Sequence, residues 1–368
     1  MEEARRTAQL FIMSFFAQLP LSMVRFVVPI YAQRLGASDF ILGLIGFSYG
    51  LAYVFAAAYF GKLSERMGYS RSIAVGMFLY GAVVSLYIFM NLPSAFIAIR
   101  AAEALSMALV WPSIEALLRF FKDTRSSTAV YTIGWAIASS IAPVAASYLM
   151  LHISVPFMAS VAFSFFAALS AMQFEAKEKA GKSIRISTGK EIALPIFVYG
   201  FSASIIYAFY PAYAASIFSL KWAGAILSVS SFFVILAFFI SPLLRHEPKI
   251  SITAGISLQL FYFLIFLSRS PFVHIMALSF IFFGIGLIYY FVLYRITLTE
   301  IEGLGFRTGI FESSIGAGYT VAPLLGGLFS ILGARYIWLF AFATALSILA
   351  LWSALEGFLL LKNGESGP

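Results

Sequence analysis

Long apolar runs alternate with short polar breaks from one end of this chain to the other. The runs fall at roughly 8–33, 40–61, 71–91, 94–119, 126–150, 154–174, 192–217, 222–244, 250–268, 272–298, 307–331 and 334–361. Each is about 20 residues or longer, the length a helix needs to cross a hydrocarbon core of roughly 30 Å. Glycine and proline inside the runs do not veto helix, because neighbouring helices can re-satisfy the backbone. The pattern predicts an all-α membrane protein of twelve transmembrane helices.

One break is longer than the others. Glu175 to Glu191 carries Lys177, Lys179, Lys182, Arg185 and Lys190 and divides the chain near its middle. Two short segments recur across this divide. Pro29-Ile30-Tyr31-Ala32 is answered by Pro211-Ala212-Tyr213-Ala214, and Ala142-Pro143 by Ala322-Pro323, at offsets of 182 and 180. The expectation is a six-helix bundle over 1–174, a cytoplasmic linker over 175–191 and a second six-helix bundle over 192–368, related by a pseudo-two-fold axis. Membrane proteins built from such repeats are most often transporters, with the pathway between the halves.

Charge orients the chain. With these breaks, 17 of the 24 Lys and Arg lie on the side shared by both ends and the linker, four on the other, and Arg25, Arg100 and Arg295 inside the runs. Basic loops stay cytoplasmic, so both termini and the linker are expected there, in the cell membrane. The segment Met1-Glu2-Glu3-Ala4-Arg5-Arg6 leads into the first run with no small-residue cleavage site before it, so no cleaved leader is expected.

Composition agrees. Apolar residues make up 61%, charged residues 11%, and mean hydropathy is +0.94. Soluble domains sit near half and a quarter for the first two. Cysteine is absent, which excludes disulfides and thiolate metal sites. The pI near 9.5 comes from short loops and does not point to nucleic acid. No His/Asp/Glu spacing suggests a metal, no phosphate loop exists, and no nucleophile–base arrangement stands out. An enzyme, a cofactor and an ATP-driven mechanism are not expected. His274 is a lone histidine, read as interfacial.

Gly61-Lys62-Leu63-Ser64-Glu65-Arg66-Met67-Gly68-Tyr69-Ser70-Arg71, between the second and third runs, resembles the signature loop of the major facilitator superfamily. Gly61, Glu65, Arg66, Gly68 and Arg71 match it. Glu65 stands where Asp is usual, and Tyr69-Ser70 where basic residues are common. Gly61 permits close helix contact, and Gly68 a tight turn. Glu65 can sit against a helix N-terminus, and Arg66 can pair with Asp123, so the cluster would latch the cytoplasmic side shut. Arg100, Glu103, Ala104 and Trp111-Pro112-Ser113 are similar to the family's fourth-span pattern. Gly134 with Ala142-Pro143 is similar to its fifth, with Ala where an antiporter pattern has Gly. The second copy of the signature, around Arg245-His246-Glu247, is degenerate. The resemblance implies alternating access, with spans 1, 4, 7 and 10 lining the pathway.

Ionisable groups deep in hydrocarbon cost about 2.5–3.5 kcal/mol even on the mildest scale, and usually face a cavity or a partner. Arg25 shares a face with Gln18, seven residues earlier. Arg100 and Glu103 can pair along one helix. These form a net-positive candidate site for an anionic or polar group, or a structural ion pair. Glu103 is the candidate proton-coupling carboxylate. Glu115 and Glu312 lie nearer the cytoplasmic ends as gate or packing residues. Arg295, offset by 180 from Glu115, is a candidate to meet it across the two-fold axis. Tyr207 and Tyr289 lie nearer mid-membrane than the other tyrosines of their runs and are candidate pathway residues. The spans are poor in Asn, Gln and Asp, which favours an apolar or aromatic substrate over a sugar.

The expected function is therefore a proton-coupled secondary transporter of a small organic solute, working as a monomer, with export favoured over uptake. The alternative is a non-transporting protein of the same fold, a sensor or lipid-handling factor.

Overall fold

The computed structural model describes residues 2–174, 190–244, 248–297 and 303–364. Within them, twelve helices are long and apolar enough to cross a membrane. They are span 1 (Glu3–Arg34), span 2 (Asp39–Met67), span 3 (Tyr69–Ile88), span 4 (Ala95–Phe120), span 5 (Ser126–Leu149) and span 6 (Ser154–Met172). Then come span 7 (Ala193–Ile217), span 8 (Leu220–Ile240), span 9 (Lys249–Leu267), span 10 (Pro271–Leu293), span 11 (Leu304–Leu332) and span 12 (Tyr336–Leu355). The end of the bundle where span 1 begins is called the start face here, the other the far face. Spans 1, 4 and 10 are the most buried, and spans 6, 9 and 12 among the least. Phe55, Phe78, Phe89, Met172, Phe239 and Phe272 stand outward, as side chains in contact with lipid tails can without penalty. Most of the expected linker, 175–189, lies outside the described residues, as does the degenerate second signature at 245–247.

The first and second halves of the chain meet along two seams. Span 2 and span 11 pack along their length through small residues. A Cβ on Gly61 would meet the Gly305 carbonyl, one on Gly50 the Tyr319 and Thr320 backbone, and one on Gly43 the Pro323 carbonyl and Gly327. Backbones approach this closely only where side chains are small. The second seam joins spans 5 and 8. Ser228 Oγ accepts from Val144 N at 2.9 Å, filling a place beside Pro143, and Ser231 Oγ donates to Ser139 O at 3.4 Å.

Three local features differ from the expectation. The Gly61–Arg71 segment is not a loop. Span 2 stays helical through Met67 and span 3 begins at Tyr69, leaving Gly68 (φ 88°) as the one-residue turn. Lys62, Ser64, Glu65 and Arg66 are polar yet continue the helix, because they sit where it leaves the apolar layer. Span 4 is interrupted at Leu109–Val110, just before Pro112, whose ring nitrogen cannot donate to the preceding turn. The Leu109 carbonyl there accepts hydroxyls from Ser113 (2.7 Å) and Ser72 (3.1 Å). His274 lies in the first turn of span 10, as expected, but is buried there. Its Nε2 donates to Ser268 O at 2.9 Å, and Tyr210 OH donates to its Nδ1 at 2.9 Å.

Candidate functional site

Two adjoining cavities lie between the halves and share Arg25, Tyr49 and Tyr319. The one toward the far face is walled by Val28, Pro29, Leu42, Ile45, Ala203, Ala208 and Pro323, and takes Arg25, Arg100 and Tyr207 as its polar lining. The one toward the start face is lined by Gln18, Tyr53, Trp111, Tyr131, Trp135, Tyr199, Tyr289 and Glu312. Each has a volume of about 40 Å³, room for water. Pockets that hold drug-sized ligands run to roughly 300–1,000 Å³. The central space is therefore nearly closed, and a solute could enter only if the tyrosines or the halves moved.

Arg25 stands at the junction. Its guanidinium lies over Tyr319 (5.3 Å to the ring centre), Tyr49 (5.6 Å) and Tyr207 (5.6 Å). Such ring faces attract a cation but do not neutralise it. No described carboxylate lies within ion-pair distance of it. Arg100 lies over Tyr49 as well, 4.6 Å from its centre, so one ring serves two cations.

Arg100 is also bonded to Glu103, Nη1 to Oε2 at 2.5 Å, within one helix. Tyr87 donates to the other Glu103 oxygen at 2.6 Å. Glu103 is fully buried and lines neither cavity. The geometry makes it the partner of Arg100, one step behind the cavity wall. That placement counts against Glu103 as the carboxylate that meets solute and water. Gln18 does line the start-face cavity, and its Nε2 donates to Ser22 (2.8 Å) and Ser139 (2.9 Å), tying span 1 to span 5.

Glu312 and Glu115 are brought together from spans 11 and 4, their carboxyls in hydrogen-bonding reach of each other. Tyr53 donates to Glu312 Oε2 at 2.6 Å, and Tyr289 to Glu115 Oε1 at 2.9 Å. Tyr289 thus belongs to the carboxyl cluster as well as to the cavity. The side chain of Arg295, expected opposite Glu115, lies outside the described residues.

At the start face, Glu65 Oε1 accepts from Phe306 N at 2.9 Å, in the first turn of span 11. An acidic group there meets the positive end of that helix. Asp123 takes both the backbone N–H (3.3 Å) and the hydroxyl (2.5 Å) of Ser126 and caps span 5. No ion pair joins it to Arg66. Arg66 and Arg71 lie at the same face, on the two sides of the Gly68 turn.

Tyr49, Tyr53, Tyr131, Tyr199, Tyr319 and Trp135 were not singled out from the sequence. A signal existed: Tyr49 and Tyr53, four apart, lie ten or more residues inside span 2, too deep for an interfacial belt.

Solved structures share this architecture. A variant of the nucleoside transporter NupG superposes with a TM-score of 0.79 at 14% identity, covering 95% of this chain and 99% of that one. The human organic anion transporter MFSD10 gives 0.76 at 14%, covering 96% and 99%. A bacterial homologue of the human lysosomal transporter Spinster, inward-facing and unoccupied, gives 0.72 at 12%, covering 96% and 97%. At these identities the likeness is one of fold. An uncharacterised MFS-type transporter of Methanocaldococcus jannaschii is 32% identical over 103 residues, which span 28% of this chain and 27% of that protein's length. Residues 10–301 match the Major Facilitator Superfamily as a whole. With its twelve spans and its central cavities between paired seams, the chain belongs to the Major Facilitator Superfamily.

Proposed function

We propose that this protein is a secondary transporter that carries a small organic anion with an apolar or aromatic body. The observation that carries this reading is Arg25. It is a buried cation at the junction of both cavities, held by tyrosine rings and the Tyr319 hydroxyl and without a carboxylate partner among the described residues. A cation in that position costs free energy unless something offsets it. A carboxylate or similar anion on the solute would do so, with its body against Pro29, Leu42, Ile45, Ala208 and Pro323. One of the structural relatives is an organic anion transporter.

Alternating access is the proposed mechanism and the proton gradient the proposed driving force. The start face is assigned to the cytoplasm from the 17-to-4 distribution of basic residues. The protein is proposed to act as a monomer in the cell membrane. Arg25 is an electrostatic neighbour of Glu312. Protonating Glu312 would leave Arg25 freer to hold an anion, so this charge arrangement favours anion and proton moving together over the export expected from the sequence.

The test is flux into proteoliposomes of aryl and alkyl carboxylates against their neutral amides, with an imposed pH gradient. Carboxylate-selective flux, accelerated by an acidic far side and lost in Arg25→Gln, is expected. Equal flux of acids and amides, or none of either, would sink the anion reading. Carboxylate efflux in exchange for protons would reverse the proposed direction.

A further inference from the structure

The carboxyl pair near the start face is short of hydrogen-bond donors. Glu115 Oε1 accepts from Tyr289 OH at 2.9 Å and from Tyr131 OH at 3.4 Å, and those hydroxyls are 3.1 Å from each other. Glu312 Oε2 accepts from Tyr53 OH at 2.6 Å. Glu115 Oε2 is fully buried and has no donor among the described residues. Its neighbour is the carboxyl of Glu312, which can donate only if it carries a proton.

Among the described residues, the surroundings do not remove the conflict. Tyr53 faces the pair from span 2, Tyr131 from span 5, Tyr199 from span 7, Tyr289 from span 10 and Tyr319 from span 11 itself. All are phenols, neutral at ordinary pH. From span 1, Arg25 acts on Glu312 without forming an ion pair. Two bare carboxylates at contact in a water-poor layer repel strongly, and one proton between them turns the repulsion into a short hydrogen bond. The bond would join span 4 of the first half to span 11 of the second. It lies on the start-face side of the cavities, next to the contact of Thr308 Oγ1 with Pro112 O (2.9 Å).

We propose that Glu115 and Glu312 hold a single proton between them while the start face is shut, and that the proton passes to water as the halves part there. Shut, the pair is one carboxylic acid and one carboxylate. Open, both are hydrated carboxylates, and the released proton is carried by water. The inference rests on the transport reading above for treating the start face as a gate. It adds which groups tie the gate to protons and in which sense. The shut state binds one proton more than the open state, so raising pH must favour opening. For one proton the open-to-shut ratio changes by up to about tenfold per pH unit.

The chain has no cysteine, so spin labels can be placed at will. Lys62 at the end of span 2 and Leu243 after span 8 are both exposed at the start face, on different halves. Labels at Lys62→Cys and Leu243→Cys, in nanodiscs without solute, report gate opening independently of transport. Between about pH 5 and about pH 9 the long-distance population should grow at up to about tenfold per unit. In Glu115→Gln the amide donates permanently to Glu312, and the short distance should persist at every pH. Glu312→Gln should do the same, and serves if the first variant does not fold. A pH-independent distance in the unsubstituted chain, or an unchanged pH response in both variants, overturns the proposal. If the distances respond as stated but no carboxylate is carried, the transport reading falls and the shared proton stands.

Discussion

Arg25 of span 1 and Tyr207 of span 7 meet face to ring across the middle of the molecule, 5.6 Å from guanidinium carbon to ring centre. They are 182 residues apart, the same offset that relates Pro29 to Pro211. The cation and the ring that holds it thus stand at the offset of the sequence repeat, one on each half of the chain, and the two halves line the cavity differently.

Arg25→Lys keeps the charge but gives up the planar group that lies on three rings. Carboxylate affinity should fall by about tenfold, the equivalent of about 1.4 kcal/mol, with selectivity over amides retained. Arg25→Gln should remove selectivity as well. Binding by isothermal calorimetry distinguishes the two, and equal loss in both would argue that charge plays no separate part.

Glu103→Ala leaves Arg100 buried beside Tyr49 without its carboxylate. Removing one member of a buried pair costs about 3–5 kcal/mol, so thermal stability in detergent should drop sharply. The pH dependence of transport in the surviving fraction should remain. A stable variant with a flattened pH profile would return Glu103 to the coupling role.

Gly61→Ala pushes a methyl group into the Gly305 carbonyl. Overpacking of this sort costs about 1–3 kcal/mol, and here it acts only when the start face is closed. The open population should rise by about fivefold to a hundredfold, read as faster labelling of a cysteine at the start face. The same labelling rate as the unsubstituted chain would show that the seam gives way elsewhere.

Glu65→Ala removes the acceptor of the Phe306 N–H. Loss of an acceptor at a helix start costs about 0.5–2 kcal/mol. Glu65→Asp has a shorter reach and should recover only part of it. Cross-linking yield between Lys62→Cys and Phe306→Cys is the readout, expected to fall in the order Glu, Asp, Ala. No dependence on residue 65 would remove the latch.

The spans themselves were legible, because about 20 apolar residues in a row admit few other solutions. The Gly61–Arg71 segment was legible as a contact and misread as a loop. Its charges mark where the helix leaves the apolar layer, and only Gly68, by its positive φ, turns the chain. The aromatic lining was hidden for another reason. Tyr49 and Tyr319 are the same residue type as the interfacial tyrosines, and only depth and the rotation of each helix place them over Arg25. The partner of Glu115 was hidden for a related one. Counting the repeat offset points only to Arg295, whose side chain lies outside the described residues, whereas the approach of Glu312 depends on which helix crosses span 4 at that level, and span 11 brings it there.

Span 4 carries both kinds of chemistry, with the interruption at Leu109–Val110 between them. Arg100 and Glu103 are on the segment toward the far face, Glu115 on the segment toward the start face. A rod jointed at its middle need not tilt as one piece. On the proposals above, the arm that meets the solute and the arm that meets the proton would turn through different angles about the same elbow, with the two hydroxyls on the Leu109 carbonyl as its bearing.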